Sequence, residues 1–401
     1  MFDQVYLADW GGVWLDSLAP MVGPQISPMY LLEQWLAGSG EAPVMDVTSQ
    51  NGKRLMVTHI GSEGFSEISS LKGLPLAAEA MLDRVLKRYE IPCTVAVCEG
   101  DVRGWTPASD EREVLRYAQA ARSILALPHV EAASGSLSRP NHWGSTDYEP
   151  GPLTVQPTDS KMSMEREIGG SLSFIHRRLL PVGRAVPVML WPRGAEPGAE
   201  AVAFARKMGV EAFGAGAVAV MPGRMNPVPP ISWERDGELA VAAMNVRAER
   251  RLMAAEAIAE YERTGVGAWQ TPVHVALSFE DALSERSLLE VEKVMGWCQK
   301  QALHAMSVAE YARMVADAAQ TRMYEAGPKH WVLVNRGRAQ TLRLPLSAGV
   351  PDLENSFGIS GYAARGGCLY VHTLGRRRTE LVMKPESKAG TSISSTHATL
   401  R

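Results

Sequence analysis

From Arg54 onward, short runs of apolar and β-branched residues alternate with stretches whose apolar positions recur at helical spacing. That rhythm builds a parallel or barrel-like sheet covered by helices. Strands are predicted at Arg54–Ile60, Cys93–Cys98, Val130–Ser134, Pro187–Trp191, Val218–Met221 and Val273–Leu277. Between them, Leu76–Tyr89 places Leu76, Ala80, Leu82, Val85 and Leu86 on one helical face. Glu111–Leu127 is a second helix, ended by Pro128, because proline disfavours helical geometry in the residue before it. Helices at Met164–Leu180 and Ala199–Met208 follow, then the Ala/Glu/Arg-rich stretch Glu238–Glu262, read as one long helix, and Ser284–Ala302. A last helix opens at Ser307, where Ser307-Val308-Ala309-Glu310 fits a capping box whose hydroxyl and carboxylate satisfy the first free amides.

After Gly327-Pro328 the period changes from helical to alternating. Trp331–Asn335, Ala339–Leu344 and Leu369–Thr373 are predicted strands, the first two joined by a turn at Asn335-Arg336-Gly337. The expected organisation is a leader over 1–45, an α/β unit over 46–325, a small all-β module over 326–384 and a polar tail over 385–401. The Ser/Thr-rich end, Lys388–Arg401, has too little apolar area to bury and is expected to be mobile.

Composition narrows the function classes. The 401 residues hold 41 Lys and Arg against 44 Asp and Glu, a net charge of −3, which argues against a nucleic-acid partner or a polybasic membrane surface. At 46% hydrophobic and 21% charged the chain reads as globular, with a length suited to two or three domains. No apolar run approaches the roughly 18 residues that span a bilayer, and Met1–Leu15 lacks a basic start followed by an apolar core, so no export signal is recognised. Four cysteines are too few for a disulfide framework and are not spaced as a zinc knuckle. Cys93 and Cys98, five apart in one apolar run, read as buried thiols on opposite faces of a strand.

In such a sheet the reacting groups come from the carboxyl ends of strands and the loops after them. The first of these loops reads Thr58-His59-Ile60-Gly61-Ser62-Glu63-Gly64-Phe65, and the third Ser134-Gly135-Ser136-Leu137-Ser138-Arg139-Pro140-Asn141-His142-Trp143. With Thr48–Leu55, the segment 165–179 (EREIGGSLSFIHRRL), Val188–Trp191, 309–315 (AEYARMV), 341–345 (TLRLP) and 351–362 (PDLENSFGISGY), they resemble the polysaccharide deacetylases over roughly Met29–Val382. Within that family the likeness is to the deacetylase regions that modify the Pel exopolysaccharide. The resemblance implies a barrel-like α/β deacetylase fold in which one aspartate and two histidines hold a divalent metal and a second aspartate serves as base. The metal would polarise an acetamide carbonyl and lower the pKa of the attacking water.

The sequence departs from that pattern. Gly61 stands at the first aspartate position and Glu63 at the second, while Gly135 and Arg139 stand at the two histidine positions. Glycine has no donor side chain, and arginine stays protonated and repels a cation. The later loops have Trp191-Pro192-Arg193-Gly194-Ala195, Gly214-Ala215-Gly216-Ala217 and Ser278-Phe279-Glu280-Asp281 where the family has acids and a further histidine, which falls on Ser278. A protein without those ligands has no Lewis acid for amide hydrolysis.

Two replacements are open at the sequence level. His59, Glu63 and His142, with Asp147 nearby, could form another zinc site. Otherwise an Arg139–Glu63 ion pair could fill the volume that a metal and its ligands occupy. Phe65, Trp143 and Trp191, with Trp105 and Tyr148, could offer rings to a sugar, although any one of them also fits a core position. The run Gly214-Ala215-Gly216 lacks the spacing of a dinucleotide loop, and no G-x-S-x-G elbow marks Ser62, Ser136 or Ser138 as a nucleophile, so these serines read as turn formers.

The expectation is a catalytically degenerate deacetylase relative that binds an amino-sugar exopolymer or scaffolds exopolysaccharide-synthesis proteins, with no nucleic acid, no membrane span and no cofactor. The alternative is an active de-N-acetylase with a rearranged zinc or other divalent-metal site. Members of the resembled family act outside the cytoplasm, and the localisation of this chain is left open.

Overall fold

The computed structural model describes residues 42–105, 109–140, 163–193, 197–214, 253–265 and 270–384, the positions 143, 154, 155 and 195, and the backbones of short strands outside these ranges. Those short strands include β1 (Gln4–Leu7) and β2 (Val13–Asp16), an antiparallel pair. The expectations at His142, Asp147 and Tyr148 and for the tail lie outside the described residues.

After β3 (Val44–Met45), β4 (Ser49–Gln50) folds back through Asn51-Gly52 into β5 (Lys53–Gly61). Both turn residues have positive φ, 50° and 75°, the geometry of a two-residue hairpin turn. β5 is central to a curved sheet with β6 (Cys93–Val97), β7 (Val130–Ser134), β8 (Val188–Leu190), β9 (Glu211–Phe213), β11 (Ser232–Arg235), β12 (Glu238–Val241) and β14 (Val273–Ser278). Its order is β11-β12-β9-β8-β7-β6-β5-β14, parallel throughout except for β11 against β12. β10 (Val218–Val220) and β13 (Met244–Val246) pair apart from it, and β15 (His304–Met306) adds to the start of β5. Every described residue of β6, β8 and β14 is buried, as parallel strands covered on both faces require.

Alternation divides the inward positions between two layers. Met56, Ile60, Val95, Val130, Met189 and Val275 pack on the outer side with the helices Glu111–Leu125 and Glu285–Lys300. Leu55, Val57, Ala96, Ala133, Leu190 and Phe213 face the concave side, where they meet Val308, Tyr311, Ala312 and Val315 of the helix Val308–Ala319. The sheet is therefore a half-barrel curled around one helix. Ser307 caps that helix reciprocally with Glu310. Its next amides are met by inward polar groups of the sheet, Val308 N donating to Thr94 Oγ1 at 3.1 Å and Ala309 N to Glu131 Oε1 at 3.0 Å.

Several expectations change. Glu238–Glu262 is not one helix: its start forms β12 and β13, and among its described residues the helical ones belong to Ala254–Arg263. Pairing of Val241 with Phe213 and of β12 with β11 overrides the helix propensity of that stretch. The helix predicted at Leu76–Tyr89 carries a π turn at Leu82–Leu86, and that at Met164–Leu180 begins with one at Glu165–Gly170.

The strands flanking Asn335-Arg336-Gly337 do not pair with each other. β17 (His330–Val334) lies between β16 (Arg322–Gly327) and β21 (Arg378–Val382). β18 (Thr341–Pro345) joins β3 and β20 (Cys368–Thr373), which pairs in turn with β19 (Ile359–Arg365). The turn is a corner between two sheets because the buried Asp317 carboxylate accepts from Arg336 N (2.7 Å), Arg338 N (2.6 Å) and Ala339 N (3.0 Å). A small core of Trp331, Leu333, Leu342, Leu344, Leu369, Val371 and Leu381 fills the space between these sheets.

Candidate functional site

The carboxyl ends of β5, β6, β7, β8 and β14 converge on one rim, and the loops that follow them interlock there. Gly135 N donates to Val97 O (2.9 Å), while Glu99 N and Gly100 N donate to Ser136 O (3.1 Å) and Leu137 O (2.8 Å). From the π turn at Glu165–Gly170, the buried Glu167 carboxylate accepts from Leu137 N (3.1 Å), Ser138 N (3.0 Å) and Ser138 Oγ (2.5 Å). Burial holds this carboxyl above its usual range, against the lowering effect of Ser138 and the two amides. Ser136 and Arg139 adopt positive φ, 71° and 55°, a conformation that costs an L-residue about 1–2 kcal/mol. The bond from Arg139 N to Ser136 Oγ (2.9 Å) and the grip of Glu167 offset that strain.

Arg139 turns inward and is buried, and its bidentate carboxylate partner is Asp101, not Glu63. Nη2 donates to Asp101 Oδ1 at 3.1 Å, Nη1 makes the second contact to Oδ2, and Nη1 also reaches Ser62 O at 3.2 Å. Burial works against the charge on Arg139, and Asp101 more than restores it, so the guanidinium is held above its ordinary pKa. The expected ion pair is thus corrected in its acid: Asp101, on the short helix Glu99–Val102 after β6, supplies it. Glu63 serves the opposite side of the rim. Its Oε1 accepts from Arg193 N (2.9 Å) in the loop after β8, its backbone O accepts from Glu280 N (3.2 Å) after β14, and Arg193 Nη2 bridges to Glu280 Oε2 (2.8 Å). Glu99 and Glu167, both buried, are further acids that sequence reasoning passed over. Glu99 is clamped by Arg166 (2.7 and 2.9 Å) and Arg103 (2.6 Å).

A divalent cation, implied by the resemblance, does not fit these residues. A Cβ on Gly61 would lie 2.3 Å from Glu63 Oε2, and one on Gly135 would lie 2.6 Å from Ser62 Oγ. The room for a ligand side chain at either position is therefore filled by a neighbour, and Arg139 sets a fixed positive charge among them. The alternative set of His59, Glu63 and His142 is not assembled by the described residues. His59 Nδ1 lies 2.9 Å from His274 Nε2, inside the half-barrel with Phe213 against both rings, and Glu63 is engaged by Arg193. Burial lowers the His274 pKa to about 3, so this imidazole is neutral. Ser278 closes β14, where its N–H donates to Asp281 (2.8 Å) in a tight turn. Among the described residues, no three His, Cys, Asp or Glu side chains are grouped so as to hold a metal.

The aromatic residues expected to meet a sugar are interior. Trp143 and Trp191 form a buried T-shaped pair with centroids 4.7 Å apart, and Phe65 is buried edge-on against Phe279 at 5.1 Å. They hold the rim from beneath and present no open face. Trp105 is half-buried. Cys93, Cys98, Cys298 and Cys368 are buried free thiols, and Cys98 Sγ donates to Leu137 O at 3.2 Å.

No protein-family model matches the chain, and no curated protein is similar to it. Among solved structures, the 4-alpha-glucanotransferase from Thermococcus litoralis overlaps it with a TM-score of 0.37 and 12% identity, over 64% of this chain. The overlap spans 39% of that enzyme's length, and a likeness at this level carries no argument about family or activity.

Proposed function

We propose that this chain is a polysaccharide-deacetylase-like protein of exopolysaccharide modification whose reaction centre has been converted into a structural ion pair, leaving a role in binding glycan or scaffolding synthesis proteins. The observation that carries the reading is Arg139. It occupies a loop position where the resemblance expects a metal-ligating histidine, and its guanidinium is locked on Asp101 in the neighbouring strand-end loop. A guanidinium does not give up its proton in a protein, so it neither ligates nor tolerates a cation in that space. Glu63 and Ser62, packed against Gly61 and Gly135, support the same reading, because the vacated side-chain volume has been taken up by neighbours.

The test uses the purified full chain. Bound metal is measured by mass spectrometry, and acetate release from partly N-acetylated polyglucosamine is followed with and without a chelator. The expected outcome is metal far below one equivalent and no acetate above the buffer rate. Stoichiometric zinc with chelator-sensitive release would overturn the proposal.

A further inference from the structure

The outward face of the sheet β16-β17-β21 has the make-up of a binding surface, and the strand-end rim plays no part in it. Tyr324 stands opposite Val332, Val332 opposite Glu380, and Glu380 bridges to Phe357. Directly opposed residues share a face, so these four side chains form one row. Three strand spacings put about 14 Å between its ends. The neighbouring row is Arg322, Val334 and Arg378. Alternation sends Trp331, Leu333 and Leu381 the other way, into the small core.

Both rings at the ends of the row are open to solvent, Tyr324 at 51% and Phe357 at 48% exposure. Arg376 lies over Phe357, 4.9 Å from the ring centroid. At the centre, Glu380 is held by Arg378 Nη2 (2.9 Å) and His330 Nε2 (3.4 Å). Residues 322–384 hold ten Lys and Arg against four Asp and Glu, a surplus of six positive charges on a chain whose net charge is −3. Charge complementarity therefore selects an anionic occupant.

Glu380 decides which anion. A polyphosphate chain has no hydroxyls along its length to donate to this carboxylate and can only repel it. An acidic polysaccharide offers hydroxyls that donate to Glu380, carboxylates for the arginines, and apolar ring faces for Tyr324 and Phe357. We propose that this face binds a polyuronate, with sugars stacked on Tyr324 and Phe357 and uronate carboxylates on Arg322, Arg376 and Arg378. The inference does not rest on the reading of the rim, and its test measures no acetate.

Calorimetric titration of the full chain with polygalacturonate at low salt tests it, with dextran, oligothymidylate and phosphatidylglycerol vesicles as comparisons. The expected result is binding of polygalacturonate that weakens with salt and exceeds that of every comparison. Tyr324→Ala and Phe357→Ala should each weaken it roughly tenfold, whereas Tyr324→Phe and Phe357→Tyr should retain it. Arg322→Glu with Arg378→Glu should abolish it, with the thermal unfolding of all these exposed-site variants close to the parent. Absence of polygalacturonate binding, affinity unchanged by both ring-to-alanine variants, or tighter binding of oligothymidylate or vesicles would each overturn the proposal.

Discussion

Arg139→Met leaves the Asp101 carboxylate buried with no counter-charge, and removing one member of a buried pair costs about 3–5 kcal/mol. Urea unfolding should show that loss, and adding Asp101→Leu should recover much of it, since the second change removes the stranded charge. Full stability in Arg139→Met alone would mean that the pair does not hold the rim. His274 sets a pH dependence. Its folded pKa is pushed down to about 3, against about 6.5 in an unfolded chain, so the unfolded state binds the extra proton between those values. The contribution is intact above about pH 6.5 and falls by up to about 1.4 kcal/mol per pH unit on acidification toward 3. Unfolding midpoints between pH 7 and 4 should fall less steeply in His274→Gln. That Gly61, Gly135 and Arg139 bring no metal-donor side chain to these loops was legible in the sequence, but the acid facing Arg139 was not. Asp101 lies 38 positions away on another strand's loop, and no local periodicity links the two.

Elements whose signals are local were the legible ones. The capping box at Ser307 and the parallel strands β5, β6, β7 and β14 lie where apolar runs and caps put them. Elements decided by distant partners were not. Glu238–Val241 has helix-forming residues and is a strand because Phe213 offers it an edge. The segments around Asn335-Arg336-Gly337 look like a hairpin and become a corner because Asp317, in the preceding helix, collects three amides there. Asp317→Ala should therefore cost about 3 kcal/mol, the order expected when three buried amides lose a charged acceptor. Differential scanning calorimetry would register a lower melting temperature, and an unchanged value would show that the Asn335 side chain, which accepts from Gly337 N (2.9 Å) and donates to Ala339 O (3.0 Å), holds the corner without Asp317.

At the level of the whole molecule, charge is unevenly shared. The β-rich end is basic while the chain as a whole is slightly acidic, so the net value of −3 conceals a surface suited to an anion. The half-barrel has a further consequence, which concerns synthesis. Its concave apolar lining, Leu55 through Phe213, is covered by a helix that starts only at Val308. The last rim strand, β14, leaves the ribosome before the helix that seals the hollow side. Until that helix docks, the nascent chain carries a wet greasy surface, so its order of synthesis exposes it to aggregation before the fold is closed.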